Sequence, residues 1–422
     1  MTYNMFGWDT VYAISANEVN KALAANPDKT LQDLDYQNGP IKMTGKFGPP
    51  SIVSGGSGKL LRLQFPITSG EFVSPGQPNA SLANVTLVAD LELAMLPGQL
   101  DKKNLVFDIK SVAKGGQTGP GLVTPINLLD PDNHLNTAQH AEVFGLLPAY
   151  LVKHAASLSY VFAQVNFAKP ANNSWLAPVE ADYAFMAKNS GENYLGILAV
   201  TTQKNISGLQ RSIDNGIVGG TNDAGLFISK ELFLKNVILP ILPSAYPGTS
   251  DSTFTYDSST QSIKNTGPFN TPSTKHGAIT YYPQITSLNT TLSGGDLVTS
   301  INGNCSLKAG ISMTFSVGST NVSQFDVATQ TISFLPDPHP SSSHSVDVPW
   351  YWIAGGVIAD AIANIVATVI GNEIADTLKN RAKVTMSNAT PQSVEWTDTT
   401  KINVKTAGLD NLLYMQGVVA NQ

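Results

Sequence analysis

The chain has 422 residues, of which 13% are charged, and its formal net charge is −6. A chain of this length exceeds one ordinary hydrophobic core, so the sequence predicts two domains. It contains no long basic run, which argues against nucleic acid or a strongly anionic membrane surface as a partner. Its single cysteine, Cys305, permits no internal disulfide, and its alternating apolar neighbours predict a buried thiol.

The N-terminus predicts a folded helix and no export signal. Its first ten residues, MTYNMFGWDT, contain neither a basic n-region nor an apolar h-region. We therefore expect no classical signal peptide and synthesis in the cytoplasm. Apolar residues then recur at a helical period over residues 7–23, which predicts an amphipathic helix that ends at Pro27.

Strands are predicted next, followed by a long helix. Apolar and polar residues alternate over residues 59–65, 83–95 and 105–109. The period becomes helical over residues 137–165, where Pro148 predicts a kink or two helices placed end to end. The apolar face of this helix is carried by Val143, Leu147, Leu151, Leu158, Val161 and Val165.

After the long helix, residues 181–186 and 193–201 are predicted to pair across a turn, and a helix is expected over residues 226–242. Many short strands are predicted beyond it. The clearest is residues 305–317, where apolar and polar side chains alternate. A hairpin is predicted at 325–334, a loop at 336–345, and short strands near residues 384, 394–396 and 402–404.

Residues 349–378 form the longest apolar, helix-capable run, with Ile358, Ile362, Ile365 and Val369 on one face. A membrane span is disfavoured, because Asp360 and Asn364 would lie near the bilayer centre and a central Asp alone costs about 3 kcal/mol. Two interpretations remain open: a helix packed in a dry core, and a helix that lines an apolar, lipid-holding groove. Both use the same side chains, so the sequence does not separate them.

The order of elements predicts an α+β fold of two modules. The same order of elements, a helix, strands, a long helix and strands, is predicted for residues 8–203 and again for residues 226–404. We therefore place an N-terminal module at 1–204, a Gly-, Asn- and Asp-rich linker at 205–225, and a C-terminal module at 226–422. Each module is expected to set an antiparallel sheet against an amphipathic helix.

No reactive constellation is evident in the sequence. The GGSGK run at residues 55–59 resembles a phosphate-binding loop, but Val53 stands at the first glycine position and Leu60 at the hydroxyl position. A hairpin connection is favoured instead. The six histidines lack metal-ligand spacing, and solvated or helix-surface histidines are the favoured interpretation. We therefore expect no catalytic residues, no metal and no cofactor.

Two segments are similar to blocks of a known family. FGWDTVYAISANEVNKAL at residues 6–23 and DAGLFISKELFLKNVILPIL at 223–242 resemble the clostridial P47 family, which is encoded beside botulinum neurotoxin in OrfX-type gene clusters. That family belongs to the tubular lipid-binding (TULIP) superfamily. The resemblance implies an elongated molecule in which highly curved antiparallel sheets wrap around long amphipathic helices. The chain is poorer in lysine than the clostridial members, which leaves the associated toxin open.

The resemblance implies two functions without catalysis. The first is a non-enzymatic protein that binds lipid or another apolar ligand, is accessory to a bacterial toxin and is released with it. The alternative is a structural interaction component of a toxin or secreted complex, with filled cores and no lipid. Expected partners are thus a lipid ligand or companion proteins of the gene cluster. The residues expected to line a groove are Val143, Leu147, Leu151, Ile358, Ile362, Ile365 and Val369.

Overall fold

The computed structural model describes residues 3–167, 174–188, 191–276, 279–307, 312–329, 331–346 and 393–421. The chain divides into two compact units. The N-terminal unit comprises Met5–Gly225, Thr390–Asn403 and Gly417–Gln422, and the C-terminal unit comprises Met1–Asn4, Leu226–Ala389 and Val404–Gln416. Residues 205–225, assigned to a linker on composition, thus belong to the N-terminal unit.

Antiparallel strands dominate the described residues. In chain order, the elements up to residue 200 are β1 (Thr10–Ser15), α1 (Ala16–Ala25), β2 (Asp33–Asn38), β3 (Ile41–Phe47), β4 (Ser51–Val53), β5 (Leu60–Val73), β6 (Ala80–Ser81), β7 (Thr86–Pro97), β8 (Lys102–Phe107), β9 (Ser111–Val112), β10 (Leu122–Leu129), α2 (Thr137–Lys153), β11 (Val161–Asn166), β12 (Glu180–Ala187) and β13 (Asn193–Val200). The later elements are β14 (Ala224–Ser229), α3 (Lys230–Phe233), α4 (Leu242–Ala245), β15 (Phe254–Asp257), β16 (Ser262–Asn265), β17 (Phe269–Asn270), β18 (Thr274–His276), β19 (Ile279–Tyr281), β20 (Gln284–Ser293), β21 (Asp296–Ser306), β22 (Ser312–Asp326), β23 (Thr331–Phe334), β24 (Ser341–Val346), β25 (Val394–Trp396), β26 (Thr399–Leu409) and β27 (Leu412–Asn421).

The largest sheet lies in the N-terminal unit and follows the order β2-β3-β5-β7-β8-β11-β25. Its long strands change partner along their length, since β5 pairs with β7 over Leu60–Pro66 and with β3 from Ile67 onward. Register shifts interrupt the β3–β5, β7–β10 and β8–β11 pairs. Because such bulges bend a strand and increase its twist, this sheet curls and gains an inner face. The strands predicted at 59–65, 83–95 and 105–109 are confirmed, because β5, β7 and β8 overlap these segments.

The inner face of this sheet is apolar. Along β5 the fully buried side chains are Leu61, Leu63, Phe65 and Ile67, and they alternate with polar or half-exposed neighbours. β7 presents Leu87, Ala89, Leu91 and Leu93 on one face, and Val88 and Asp90 on its other face are buried as well. Helix α2 packs against β7, β9 and β10. The period-two pattern therefore supplies one wall of the core and the helix supplies the other.

Helix α2 is shorter than the sequence predicted. It ends at Lys153, and Val161–Asn166 forms strand β11, which pairs with β8 and β25. The prediction of helix as far as residue 165 is therefore wrong, because β-branched and aromatic residues at 161–165 satisfy their backbone in a sheet. Pro148 lies inside α2, which continues through it as one helix.

The predicted opening helix begins late. Thr10–Ser15 forms β1, which pairs along its whole length with β13, while β13 also pairs with β12. Helix α1 begins only at Ala16, where the Ser15 hydroxyl caps the backbone N–H of Glu18. The segment from Thr10 to Ile14 is buried on both faces, so its apolar residues have no strand alternation to distinguish them from a helix. The predicted β12–β13 hairpin is confirmed.

The C-terminal unit contains a second antiparallel sheet, in the order β15-β16-β20-β21-β22-β23. The predicted single strand at 305–317 is wrong, because it is the end of a hairpin in which Cys305 on β21 pairs with Met313 on β22. Alternation continues through both arms of a hairpin and does not mark the reversal. Cys305 is buried as predicted, and burial raises the pKa of its thiol.

Three other predictions for this unit have mixed outcomes. The hairpin at 325–334 is confirmed by the pairing of Phe325 with Ile332. The predicted loop at 336–345 is partly wrong, because Ser341–Val346 forms β24 and pairs with β22. The predicted helix at 226–242 begins as strand β14, and helical turns follow only from Lys230.

The fold is predominantly antiparallel β-sheet, as predicted, and the described helices are shorter than expected. The longest of them is α2, with 17 residues. The predicted helix at 349–378 lies outside the described residues, as does the strand expected near residue 384. In the part of the chain that the structure describes, no helix combines the length and apolarity needed to cross a bilayer.

Shortening a side chain of α2 that faces the sheet tests whether this packing stabilises the unit. Leu147→Ala is expected to lower the free energy of unfolding by about 2–5 kcal/mol, because it leaves a cavity in a closed core. Glu142→Ala on the exposed side of the same helix is the matched control and is expected to change it by about 0.5 kcal/mol or less. Thermal and urea unfolding measure both, and equal effects of the two substitutions would contradict the packing described here.

Candidate functional site

Three of the predicted groove residues lie in one line along α2. Val143, Leu147 and Leu151 are 0%, 1% and 0% exposed. Their spacing of four residues places them on the helix face that meets the curled sheet. The other four, Ile358, Ile362, Ile365 and Val369, lie outside the described residues, so the seven-residue groove stays a prediction.

Polar contacts fix the N-terminal end of α2. Asn136 and Gln139 form a reciprocal capping box at the first turn. The Gln139 side-chain amide also donates to the Pro78 carbonyl at 2.7 Å, and Nε2 of His140 lies 3.0 Å from the Leu128 carbonyl oxygen. These bonds join the helix to strand β10 and to the loop before β6, so the helix cannot rotate about its axis without breaking them.

An aromatic side chain fixes the other end of α2. The Tyr150 hydroxyl donates to the Asp33 carbonyl at 2.9 Å and accepts from the Asp35 N–H at 3.2 Å. Its ring stacks on His154 at 4.2 Å and on Phe47 at 6.1 Å between centroids. Tyr150 was missed from sequence, although its position three residues after Leu147 places it beside the apolar face.

Two cavities border described residues, and none of Val143, Leu147 and Leu151 lines either of them. One, of about 480 Å³, lies beside the first turns of α2 and is lined by Asn84, Thr86, Leu128, Leu129, Asp130, Pro131, Asn133, Leu135 and His140. The other, of about 690 Å³, lies in the C-terminal unit, and its wall is uncharged; it is lined by Pro247, Gly248, Thr249, Ser252, Thr253, Thr266, Gly267, Pro268, Phe269, Asn270, Thr271 and Pro272. The α2 face is therefore closed where the structure describes it.

A charge cluster in the N-terminal unit centres on Asp182 of β12. Its carboxylate lies 3.0 Å from Nζ of Lys59 and 3.0 Å from Nε of Arg211. The neighbouring Tyr183 hydroxyl donates to the Lys59 carbonyl and accepts from the Leu93 N–H, both at 2.7 Å. Because Arg211 belongs to the irregular segment that follows β13, these bonds hold that segment against the sheet. No sequence motif marks these contacts, which join residues far apart in the chain.

The GGSGK run at residues 55–59 positions Lys59 in this charge cluster. It connects β4 to β5, which pair antiparallel, so the predicted hairpin connection is confirmed. Gly56 has φ of +78°, and a Cβ there would lie 2.2 Å from the Leu60 carbonyl oxygen. Glycine is therefore required by the close backbone approach, and the run ends by presenting Lys59 to Asp182.

Glu92 lies in the same electrostatic environment. Burial raises the pKa of its carboxyl, Lys59 opposes that rise, and the negative charges of Asp108 and Asp182 add to it. Raised carboxyl pKa values occur in active sites and also in structural charge clusters. Among the described residues, no group of three or more His, Cys, Asp or Glu side chains is placed to hold a metal ion.

The comparisons with known proteins agree with this antiparallel fold. The family model described as OrfX-like, Protein OrfX2/OrfX3/P47, matches residues 5–384. The chain belongs to this OrfX-like family, which confirms the family resemblance found in the sequence. Protein P47 of Clostridium botulinum strain Kyoto / Type A2 is 26% identical over 377 residues, covering 86% of this chain and 87% of that protein.

Further relatives and solved structures extend the comparison. Protein OrfX3 of the same Clostridium botulinum strain is 26% identical over 289 residues, covering 60% of this chain and 57% of that protein. The structure of P47 from Clostridium botulinum A2 has a TM-score of 0.80 and 23% identity, covering 99% of this chain and 98% of that one. P47 of Clostridium botulinum E1 gives a TM-score of 0.77 at 22% identity, with both chains fully covered. At these identities the structures establish a shared fold.

Removing the charge of Asp182 tests its role in holding the segment after β13. Asp182→Asn is expected to lower the free energy of unfolding by about 1.5–3 kcal/mol, because two cations lose a charged hydrogen-bond acceptor. Limited proteolysis is expected to cut residues 205–223 faster in this variant. Asp33→Asn, which removes a pair with Lys46 between two exposed side chains, is the control and is expected to change neither readout measurably.

The raised pKa of Glu92 predicts how Glu92→Gln changes stability with pH. A native carboxyl of raised pKa holds its proton more tightly than the unfolded chain does, so its contribution is fully present below the ordinary glutamate pKa and is lost as pH rises through the raised value. The variant is therefore expected to have a higher Tm than the natural chain at neutral pH, and the difference is expected to shrink towards about pH 4. A Tm difference that does not vary with pH would contradict this.

Proposed function

We propose that this protein is a non-enzymatic binder of lipid or another apolar ligand and that it accompanies a bacterial protein toxin. The observation that carries the proposal is the curled antiparallel sheet whose apolar inner face is covered by α2. An interior built from β-strand and helix faces with apolar linings suits an acyl chain as well as it suits a dry core.

The finer fold proposed is that of the TULIP superfamily, as the resemblance implies. In that arrangement α2 is the long helix cradled by the N-terminal sheet. Residues 349–378 are the counterpart expected for the C-terminal unit, with Ile358, Ile362, Ile365 and Val369 facing the apolar interior. The predominance of antiparallel strands in both units supports this arrangement.

The proposed association with a toxin rests on sequence similarity to related proteins. Curated relatives of this chain are P47 and OrfX3 proteins of Clostridium botulinum. The resemblance of this chain to proteins encoded beside botulinum neurotoxin supports a partner from such a gene cluster. Release together with the toxin complex, after synthesis in the cytoplasm, is part of the same proposal.

A second function is favoured by one specific observation. Val143, Leu147 and Leu151 are closed off completely where the structure describes them. A filled core around α2 fits a structural component that binds companion proteins through its surface and holds no lipid. Uncharged polar surfaces rich in Ser, Thr and Asn suit such contacts.

Native mass spectrometry with solvent extraction of the purified protein distinguishes the two functions. Lipid binding predicts extra mass that extracts as lipid, and uptake of a fluorescent fatty acid by delipidated protein. Ile362→Trp, which is predicted to fill the groove, is expected to weaken uptake about tenfold. Thr368→Trp, predicted to lie on the polar side of the same run, is the control. A pure polypeptide mass and no uptake would favour the structural role.

A further inference from the structure

The tip of the β7–β8 hairpin carries an aliphatic side chain that is exposed almost completely. Leu100 is 93% exposed and Leu96, four residues earlier, is 50% exposed. The turn is closed by backbone bonds alone: the Gly98 N–H donates to the Lys102 carbonyl, and the Lys102 N–H donates to the Leu100 carbonyl, both at 2.8 Å. The leucine side chain therefore contributes nothing to forming the turn.

The backbone at Leu100 makes leucine an unfavourable choice. Its φ is +53°, in the left-handed region where a branched aliphatic side chain is disfavoured and Gly or Asn is preferred. Seven non-glycine residues of the described chain have positive φ, and Leu100 is the aliphatic one; the others are Phe6, Asn84, Asn133, Gln261, Asp398 and Asn411. A residue that is strained and buries no apolar area does not stabilise this chain, so its use lies in contact with another molecule.

The base of the hairpin is amphipathic. Nζ of Lys103 lies 4.7 Å from the centroid of the Phe167 ring, and Nζ of Lys102 lies 2.9 Å from the Glu395 carboxylate. Among the ion pairs of the described residues, Lys103 has no carboxylate partner. The Lys103 ammonium lies over the Phe167 ring and the Lys102 ammonium pairs with Glu395, so both cations are held at the base of the hairpin, below the leucine tip.

We propose that this tip, residues 96–103, docks the protein on a lipid bilayer, with Leu100 entering the acyl region. The proposal rests on the proposed lipid-binding function and adds the surface by which the protein reaches its ligand. Two leucines on a convex hairpin are too small for a stable protein interface, which buries about 1,000 Å² or more. A bilayer needs no complementary pocket, and weak, reversible insertion suits delivery or extraction of lipid.

The test uses the full chain with phosphatidylcholine vesicles in a flotation assay. Leu100→Asn is expected to weaken vesicle binding about tenfold, because it removes the inserting side chain. The same variant is expected to unfold at an equal or higher temperature, since Asn tolerates positive φ better than Leu. Val322→Asn, which alters a side chain that is 48% exposed elsewhere, is the control and is expected to bind as the natural chain does.

A variant that is expected to keep or strengthen vesicle binding makes the test independent of the variant that weakens it. Leu100→Trp is expected to bind vesicles at least as tightly as the natural chain, and its added fluorescence is expected to shift to the blue on binding. Equal binding by the natural chain and Leu100→Asn would overturn the proposal, and so would the absence of vesicle binding by the natural chain. Loss of binding to a companion protein, with vesicle binding unchanged, would assign the tip to a protein partner instead.

The result of the vesicle test can be distinguished from the result of the test of lipid carriage. Lipid carried by the purified protein is measured in the same samples by extraction and mass spectrometry. If the Leu100→Asn protein still carries lipid but no longer floats with the vesicles, the result supports both the docking tip and the proposed lipid binding. Vesicle binding that depends on Leu100 in a protein that carries and takes up no lipid would retain the docking surface and reject the apolar groove.

Discussion

The apolar face of α2 packs against the inner face of the curled N-terminal sheet, and the other contacts of this unit are arranged around that packing. Val143, Leu147 and Leu151 are buried on the helix, which packs against β7, β9 and β10. The sheet gains an inner face because its long strands change partners and carry bulges. A flat sheet would leave the helix half-covered.

The polar contacts around this core have a common role, which is to fix the elements that the apolar contact alone leaves free to slide. Tyr150 and His140 fix α2 on the strands at its two ends. Asp182 holds the irregular segment after β13 through Arg211. Hydrophobic burial is non-directional, so register and orientation come from these few directional bonds. The same rigidity is needed whether the interior holds side chains or an acyl chain.

Strands in which apolar and polar residues alternate were predicted well from the sequence. The boundaries between helices and strands were not. The strand at 83–95 is recognisable because Asn84, Thr86, Asp90 and Glu92 give it a polar alternation, although β7 is buried on both faces from Leu87 to Leu91. Thr10–Ile14 is buried on both faces and lacks that alternation, so its pattern resembles a helix. In β11 the adjacent buried residues Phe162 and Ala163 interrupt the alternation where the register shifts. The alternation does not reveal that β21 and β22 are separate, paired strands, because it continues through both arms of a hairpin. The Asp182 cluster and the backbone of Leu100 depend on tertiary contacts and dihedral angles that no local pattern encodes.

Hydrogen–deuterium exchange over α2, measured with and without an added fatty acid, shows whether helix and sheet form one core that holds an apolar ligand. The amides of residues 143–151 are expected to exchange as slowly as those of β5 and β7, because helix and sheet form one core, and an apolar ligand is expected to slow them further. Exchange of these amides at the rate of exposed loops would contradict the packing. Slow exchange that no apolar ligand alters would leave the core intact and contradict its use as a ligand site.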